Sequence, residues 1–127
     1  MKISWLFLIF FCSSCSPSTS SDFYHEGESL SRGICDELKE VHSKEDLLKR
    51  SSSLKKKFNR MADLMIASHK IKKSFIEAKD YENTETSDAL FSEISRVYQI
   101  EGSREVMEKI QVDALARLDI FHRSLQE

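Results

Sequence analysis

The 127-residue sequence contains only three Gly and one Pro. β-Sandwiches and β-barrels need turn residues at frequent intervals, so this composition argues against both classes. The scarcity of Gly also argues against a phosphate-binding loop, and the sequence has no His-Glu-x-x-His or Gly-x-Ser-x-Gly motif. We therefore expect a non-enzymatic protein with no catalytic residues and no cofactor.

Histidine pairs with metal-ligand spacing are also absent. The four histidines are His25, His42, His69 and His122, and no two of them are three or four residues apart. A metal site would therefore need residues brought together from different helices. We expect no metal site.

The N-terminal residues have the pattern of an export signal. Lys2 is followed by an apolar run from Ile3 to Phe11 that Ser4 alone interrupts, and small residues come before Cys15. The run is about ten residues long, whereas a membrane-spanning helix needs roughly twenty. The pattern indicates a signal peptide rather than a permanent transmembrane helix.

The sequence Ser13-Ser14-Cys15 resembles the lipobox of bacterial lipoproteins, in which small residues precede a lipidated cysteine. The resemblance implies a diacylglycerol thioether on Cys15, cleavage on its amino side and fatty acylation, such as palmitate, of the new amino group. It thus implies lipidation at Cys15 and a lipid-anchored protein of the bacterial cell envelope, attached to a membrane. The open alternative is an ordinary signal peptide cut after Ser20, which would release a soluble secreted protein.

The chain divides into three parts on this interpretation. Residues 1–14 are the signal peptide, residues 15–28 are the lipidated Cys and a Ser-rich tether that holds the only Pro, and residues 29–127 are a single domain. Apolar residues at helical spacing fill the domain, and strand-like alternation is almost absent. The sequence predicts an all-α fold, an up-and-down bundle of three to four helices.

The predicted helix boundaries depend on a few local signals. The first helix is expected from about Glu28 to His42, and Ser43 is expected to cap the second. Thr86 or Ser87 is expected to cap the third. The apolar stripe over residues 90–98 and the stripe over 107–125 would lie on opposite faces of one continuous helix, so we expect a break at Gly102 followed by a cap at Ser103.

Cys35 is the one thiol left free if Cys12 leaves with the signal peptide and Cys15 carries lipid. Its neighbour Ile34 favours a buried position, where a free cysteine behaves as a small apolar side chain. The alternative is an intermolecular disulfide through Cys35 that joins two copies in an oxidising compartment.

Charge is distributed unevenly along the chain. Residues 15–48 contain three Lys/Arg and eight Asp/Glu, and residues 49–79 contain ten Lys/Arg and two Asp/Glu. Residues 80–127 contain five Lys/Arg and eleven Asp/Glu. Opposed charge on neighbouring helices would favour one topology. The alternative is a basic face that binds an anionic partner, and the residues placed opposite the apolar stripe of the second helix are Lys49, Lys56, Arg60 and Lys70.

The leading hypothesis is a lipid-anchored helical interaction or structural module. Its expected partners are the membrane, through the covalent lipid, and either an anionic envelope component or another envelope protein. Nucleic acid is not expected, because the basic stretch has few aromatic residues. A bundle that carries a small ligand or lipid in its interior is a second hypothesis, and an enzyme whose His and carboxylate side chains converge in a cleft is a third.

Overall fold

The computed structural model describes residues 20–72 and 84–127, with side chains described for residues 22–70 and 85–127. These residues form four helices. They are α1 (Ser20–Lys39), α2 (Lys44–Lys72), α3 (Thr84–Tyr98) and α4 (Ser103–Ser124). No strand occurs in the described parts of the chain. The predicted all-α bundle is confirmed, with four helices.

Each helix packs against two neighbours. α1 contacts α2 and α3, and α4 contacts the same two helices, with the most extensive contact between α2 and α4. In the described residues α1 and α4 therefore occupy opposite corners, as do α2 and α3. Short turns at residues 40–43 and 99–102 join α1 to α2 and α3 to α4 at one end of the bundle.

Apolar side chains from all four helices form one core. The residues in the central cluster are Ile34, Leu38, Val41, Leu47, Leu54, Val97, Val106, Met107 and Ile110. Phe58, Met61, Leu90, Ile94, Tyr98 and Ile100 pack around this cluster and are partly buried. Burial of a large aliphatic side chain stabilises a fold by about 1.5–3 kcal/mol, so this cluster is the main stabilising feature.

The first helix begins earlier than predicted. α1 starts at Ser20, so residues 20–28, which were expected to belong to the tether, are helical. Asp22 lies in the first turn, where a carboxylate interacts favourably with the helix dipole. Glu26 then forms an ion pair with Arg60 of α2 at 2.6 Å, which fixes this part of α1 against the bundle.

Ser43 caps α2 as predicted. Its hydroxyl accepts a hydrogen bond from the main-chain N–H of Asp46 at 3.2 Å, and the carboxylate of Asp46 accepts one from the main-chain N–H of His42 at 2.9 Å. These reciprocal bonds resemble a capping box, with Asp in place of the usual Glu. They cap the start of α2, which is separated from the end of α1 by four residues.

The predicted break at Gly102 is confirmed, although its cap differs. Gly102 has a left-handed φ of 76° and is itself the N-cap of α4, with no side-chain capping bond. A side chain at this position would be strained, and its Cβ would lie 3.0 Å from Cδ of Lys44. Ser103, the predicted cap, is instead the first residue of α4 and is fully buried. α3 starts at Thr84, two residues before Thr86, the earlier of its two predicted caps.

Arg96 joins the end of α3 to the end of α1. Its guanidinium donates hydrogen bonds to the main-chain carbonyls of Leu38 at 2.6 Å and Val41 at 2.9 Å, and to Glu93 at 2.9 Å. The last carbonyls of a helix lack partners within the helix, so Arg96 supplies donors that water would otherwise provide. α1 and α3 therefore end at the same end of the bundle.

Candidate functional site

The predicted lipidation site, Cys15, lies outside the described residues. The described structure begins with α1 at Ser20, five positions after Cys15. Five residues span at most about 18 Å when fully extended. Any lipid on Cys15 would therefore hold the start of α1 within that distance of the membrane.

Three cations of α2 pair with carboxylates on the neighbouring helices. Nζ of Lys57 lies 2.6 Å from the carboxylate of Glu37 in α1, and that carboxylate also accepts a hydrogen bond from Ser53. Nζ of Lys55 lies 3.0 Å from Asp113 in α4. Arg60 pairs with Glu26 in α1. These contacts agree with the interpretation in which opposed charge helps to fix the topology.

The four residues of the predicted anionic-partner face therefore differ in whether they form a salt bridge. Lys49 and Lys56 are exposed on α2 and form no salt bridge within the described residues, whereas Arg60 is exposed but ion-paired. Lys70 is exposed near the end of α2. Lys49 and Lys56 are separated by two helical turns, about 10.5 Å, and lie on the same side of the helix. We call these two residues the basic face.

Asp46 is close to this face and carries a shifted pKa. The hydrogen bond from the main-chain N–H of His42 is the largest cause, and it lowers the pKa of Asp46 below its ordinary value of 3.8. Partial desolvation opposes the shift, while the Ser43 hydroxyl and the charges of His42 and Lys49 add to it. The carboxylate therefore stays ionised under ordinary conditions and reduces the positive potential beside Lys49.

Cys35 is buried, with 5% of its surface exposed, and is a free thiol. A disulfide between two copies requires both sulfur atoms to reach each other at about 2 Å. This placement agrees with the interpretation of Cys35 as a small apolar side chain. The alternative, an intermolecular disulfide at Cys35, would first require α1 to move away from its neighbours.

A groove of about 260 Å³ lies between α1 and α3 beside Cys35. Arg32, Asp36 and Lys39 line it from α1, and Glu85, Thr86 and Ala89 line it from α3. Sites for apolar ligands are lined mainly by hydrophobic and aromatic side chains. The lining of this groove is mostly polar and charged, so it does not favour the lipid-carrier hypothesis.

The sequence pattern missed a set of exposed apolar side chains. Large apolar residues with more than two fifths of their surface exposed are Leu48, Met65, Phe91, Val112, Leu115, Ile120 and Leu125. Three of them, Met65, Phe91 and Leu125, belong to the apolar stripes that the sequence predicts to face the core. Leu125 is at the C-cap of α4, whereas Met65 and Phe91 lie within α2 and α3. The helical periodicity of 100° per residue shows on which side of a helix an apolar residue lies, but it does not show whether a neighbouring helix covers that residue.

Comparisons with protein-family models, with curated proteins and with solved structures find no match for this chain. Among the described residues, no three of His, Cys, Asp and Glu come together in a way that could hold a metal ion. None of the helices in residues 20–72 and 84–127 combines the length and the apolarity that crossing a bilayer requires.

Proposed function

We propose that this protein is a lipid-anchored component of the bacterial cell envelope that acts as a non-enzymatic helical interaction module. The observation that carries the proposal is the lipobox-type sequence Ser13-Ser14-Cys15 after a short apolar run. The helical bundle that begins at Ser20 supports it, because its first helix starts five positions after the site of lipidation. The lipid would hold this domain at the membrane surface.

The anchor would be firm. One acyl chain binds a protein to a bilayer only marginally, at about 0.8 kcal/mol per buried methylene, whereas two or three chains hold it stably. Lipobox processing supplies two chains on the sulfur and commonly a third on the amino group. The protein is then a resident of the membrane surface, although no described helix crosses the bilayer.

The interaction role is supported by the basic face. Lys55, Lys57 and Arg60 pair with carboxylates of neighbouring helices, whereas Lys49 and Lys56 are exposed and form no salt bridge within the described residues. Clustered exposed charge attracts anions over about 8–10 Å at physiological salt. The partner that fits this face is an anionic envelope component, such as a charged glycan polymer or an acidic protein surface.

Membrane fractionation tests the anchor. The wild-type protein should stay with the membrane fraction after washing at high salt and high pH, and detergent should release it. Cys15→Ala should block lipidation and move the mature domain to the soluble fraction or leave the signal peptide uncut. The matched control is Cys35→Ala, which removes a thiol from the bundle and should leave the protein on the membrane. Release of the wild-type protein by salt alone would contradict the proposal.

A further inference from the structure

One end of the bundle contains the start of α1 and the ends of α2 and α4. The ion pair between Glu26 and Arg60 places the first half of α1 beside the second half of α2. The rings of His69 and Phe121 lie 5.3 Å apart in an edge-to-face arrangement, so the last turns of α2 and α4 meet. The two short turns at residues 40–43 and 99–102 lie at the opposite end. We call the end with the start of α1 the anchor end.

Apolar side chains are exposed at the anchor end. Ile120 is 68% exposed and Leu125, at the C-cap of α4, is 42% exposed. In the first turns of α1, Phe23 and Tyr24 are partly exposed, and aromatic residues are common at bilayer interfaces. The charges here are mixed, since Arg123 forms an ion pair with Asp119 at 2.8 Å.

The length of chain before α1 indicates what covers these side chains. Cys15 is five residues from Ser20, so a lipid on Cys15 keeps the anchor end within about 18 Å of the bilayer. Such a short connection makes the effective concentration of the bilayer highest at this end of the bundle. The exposed apolar side chains that are nearest to the anchor then have lipid as their nearest apolar neighbour.

We propose, as a consequence that rests on the proposed lipid anchor, that the bundle stands end-on, with Ile120 and Leu125 in contact with the bilayer. The contact is apolar rather than electrostatic, because exposed aliphatic side chains make it and the neighbouring Arg123 is paired with Asp119. In this orientation Lys56 lies 13 residues along α2 from His69, about 20 Å from the anchor end. That distance exceeds the screening length of about 8–10 Å, so the charge of the basic face is screened from its own bilayer and is available to another anionic component.

Tryptophan quenching in vesicles tests this orientation. The only Trp is Trp5, in the predicted signal peptide, so the mature lipidated protein would contain none. Ile120→Trp and Leu125→Trp each introduce one reporter at the anchor end. Leu48→Trp is the matched control, because Leu48 is 51% exposed at the opposite end of α2. Each lipidated variant is reconstituted in phosphatidylcholine vesicles with brominated acyl chains, and circular dichroism confirms its helicity.

We expect brominated lipid to quench the reporters at positions 120 and 125, and aqueous iodide to quench the reporter at position 48. Flotation of the vesicles separates the two proposals. Protein that fails to float would contradict the anchor and the orientation that depends on it. Protein that floats without lipid quenching at positions 120 and 125 would contradict the orientation alone.

Two further outcomes would also contradict the end-on contact. Reporters at positions 120 and 125 that are shielded from both lipid and iodide would indicate that a second copy or another protein covers these side chains. Lipid quenching that disappears as salt rises would indicate an electrostatic contact in place of the apolar one. Quenching that is unchanged by salt is the result that the proposal requires.

Discussion

The Nζ atom of Lys57 donates to the carboxylate of Glu37 at 2.6 Å, across the interface between α2 and α1. Glu37 is only 9% exposed, and its second partner is the hydroxyl of Ser53 at 3.0 Å. A nearly buried carboxylate is costly without a cation, whereas an exposed pair adds little. This contact is therefore the ion pair in the described structure on which the α1–α2 interface depends most.

Lys57→Met should destabilise the protein by about 1–2 kcal/mol, because it leaves the Glu37 carboxylate buried without its cation. We take the lower part of the usual range, since the Lys57 side chain is about a third exposed and its charge is partly screened. Urea unfolding followed by circular dichroism measures the change. The neighbouring variant Lys56→Met is the control and should change the free energy of unfolding by less than about 0.5 kcal/mol. Equal effects from the two variants would contradict this role for Glu37.

Gly102→Ala and Gly33→Ala should have opposite effects on stability. Gly102 has a left-handed φ, and a Cβ there would contact Lys44 at 3.0 Å, so we expect a loss of about 1–2 kcal/mol. Gly33 is within α1, and a Cβ there would meet only the Lys57 side chain, at 3.9 Å from Nζ and 4.0 Å from Cε. Ala at position 33 should stabilise the helix by about 0.5–1 kcal/mol. Thermal unfolding of both variants tests the prediction, and destabilisation by Gly33→Ala would show that α1 needs the glycine.

Asp46→Asn should reduce the loss of stability in acid. The pKa of Asp46 is lower in the folded protein than in the unfolded chain, chiefly because of the hydrogen bond from His42 N–H. Its contribution is therefore complete above the unfolded pKa of about 4 and is lost as the pH falls through the folded pKa. The free energy of unfolding, measured from pH 6 to about pH 2, should fall less steeply in the variant. Identical slopes in the wild-type protein and the variant would contradict a lower pKa of Asp46 in the folded state than in the unfolded chain.

Removal of the basic face should abolish weak binding to anions. We expect the mature chain with Cys15 replaced by Ser to bind anionic phospholipid vesicles weakly and to release them as salt rises. The double variant Lys49→Gln/Lys56→Gln should lose this binding and keep its helicity. The double variant Arg104→Gln/Lys109→Gln removes the same charge from α4 and should keep most of the binding. Loss of binding in both double variants would indicate an effect of net charge alone.

Much of the fold could be predicted from local sequence signals. The cap at Ser43 and the break at Gly102 follow from the conformational preferences of single residues, and the apolar spacing predicts three to four helices. The start of α1 at Ser20 was missed because Ser and Gly are weak helix formers. Tertiary contacts, such as the ion pair between Glu26 and Arg60, outweigh that weakness.

The pairing of charges across the bundle was harder to predict. Arg96 donates to the carbonyls of Leu38 and Val41, more than fifty residues away, and no local pattern indicates such a contact. Arg60 was likewise placed on an open face, because the helical wheel gives its direction but not the reach of a side chain from α1. Only the structure therefore distinguishes Lys49 and Lys56, which form no salt bridge in the described residues, from the cations that are ion-paired.

The most direct test of the central claim is mass spectrometry of the mature N-terminus, on protein extracted from its native membrane with detergent. The account predicts that the first residue is Cys15, with diacylglycerol on its sulfur and commonly a fatty acyl group on its amino nitrogen. A soluble chain that begins at Ser21, with no lipid, would contradict the lipid anchor and the membrane contact that depends on it.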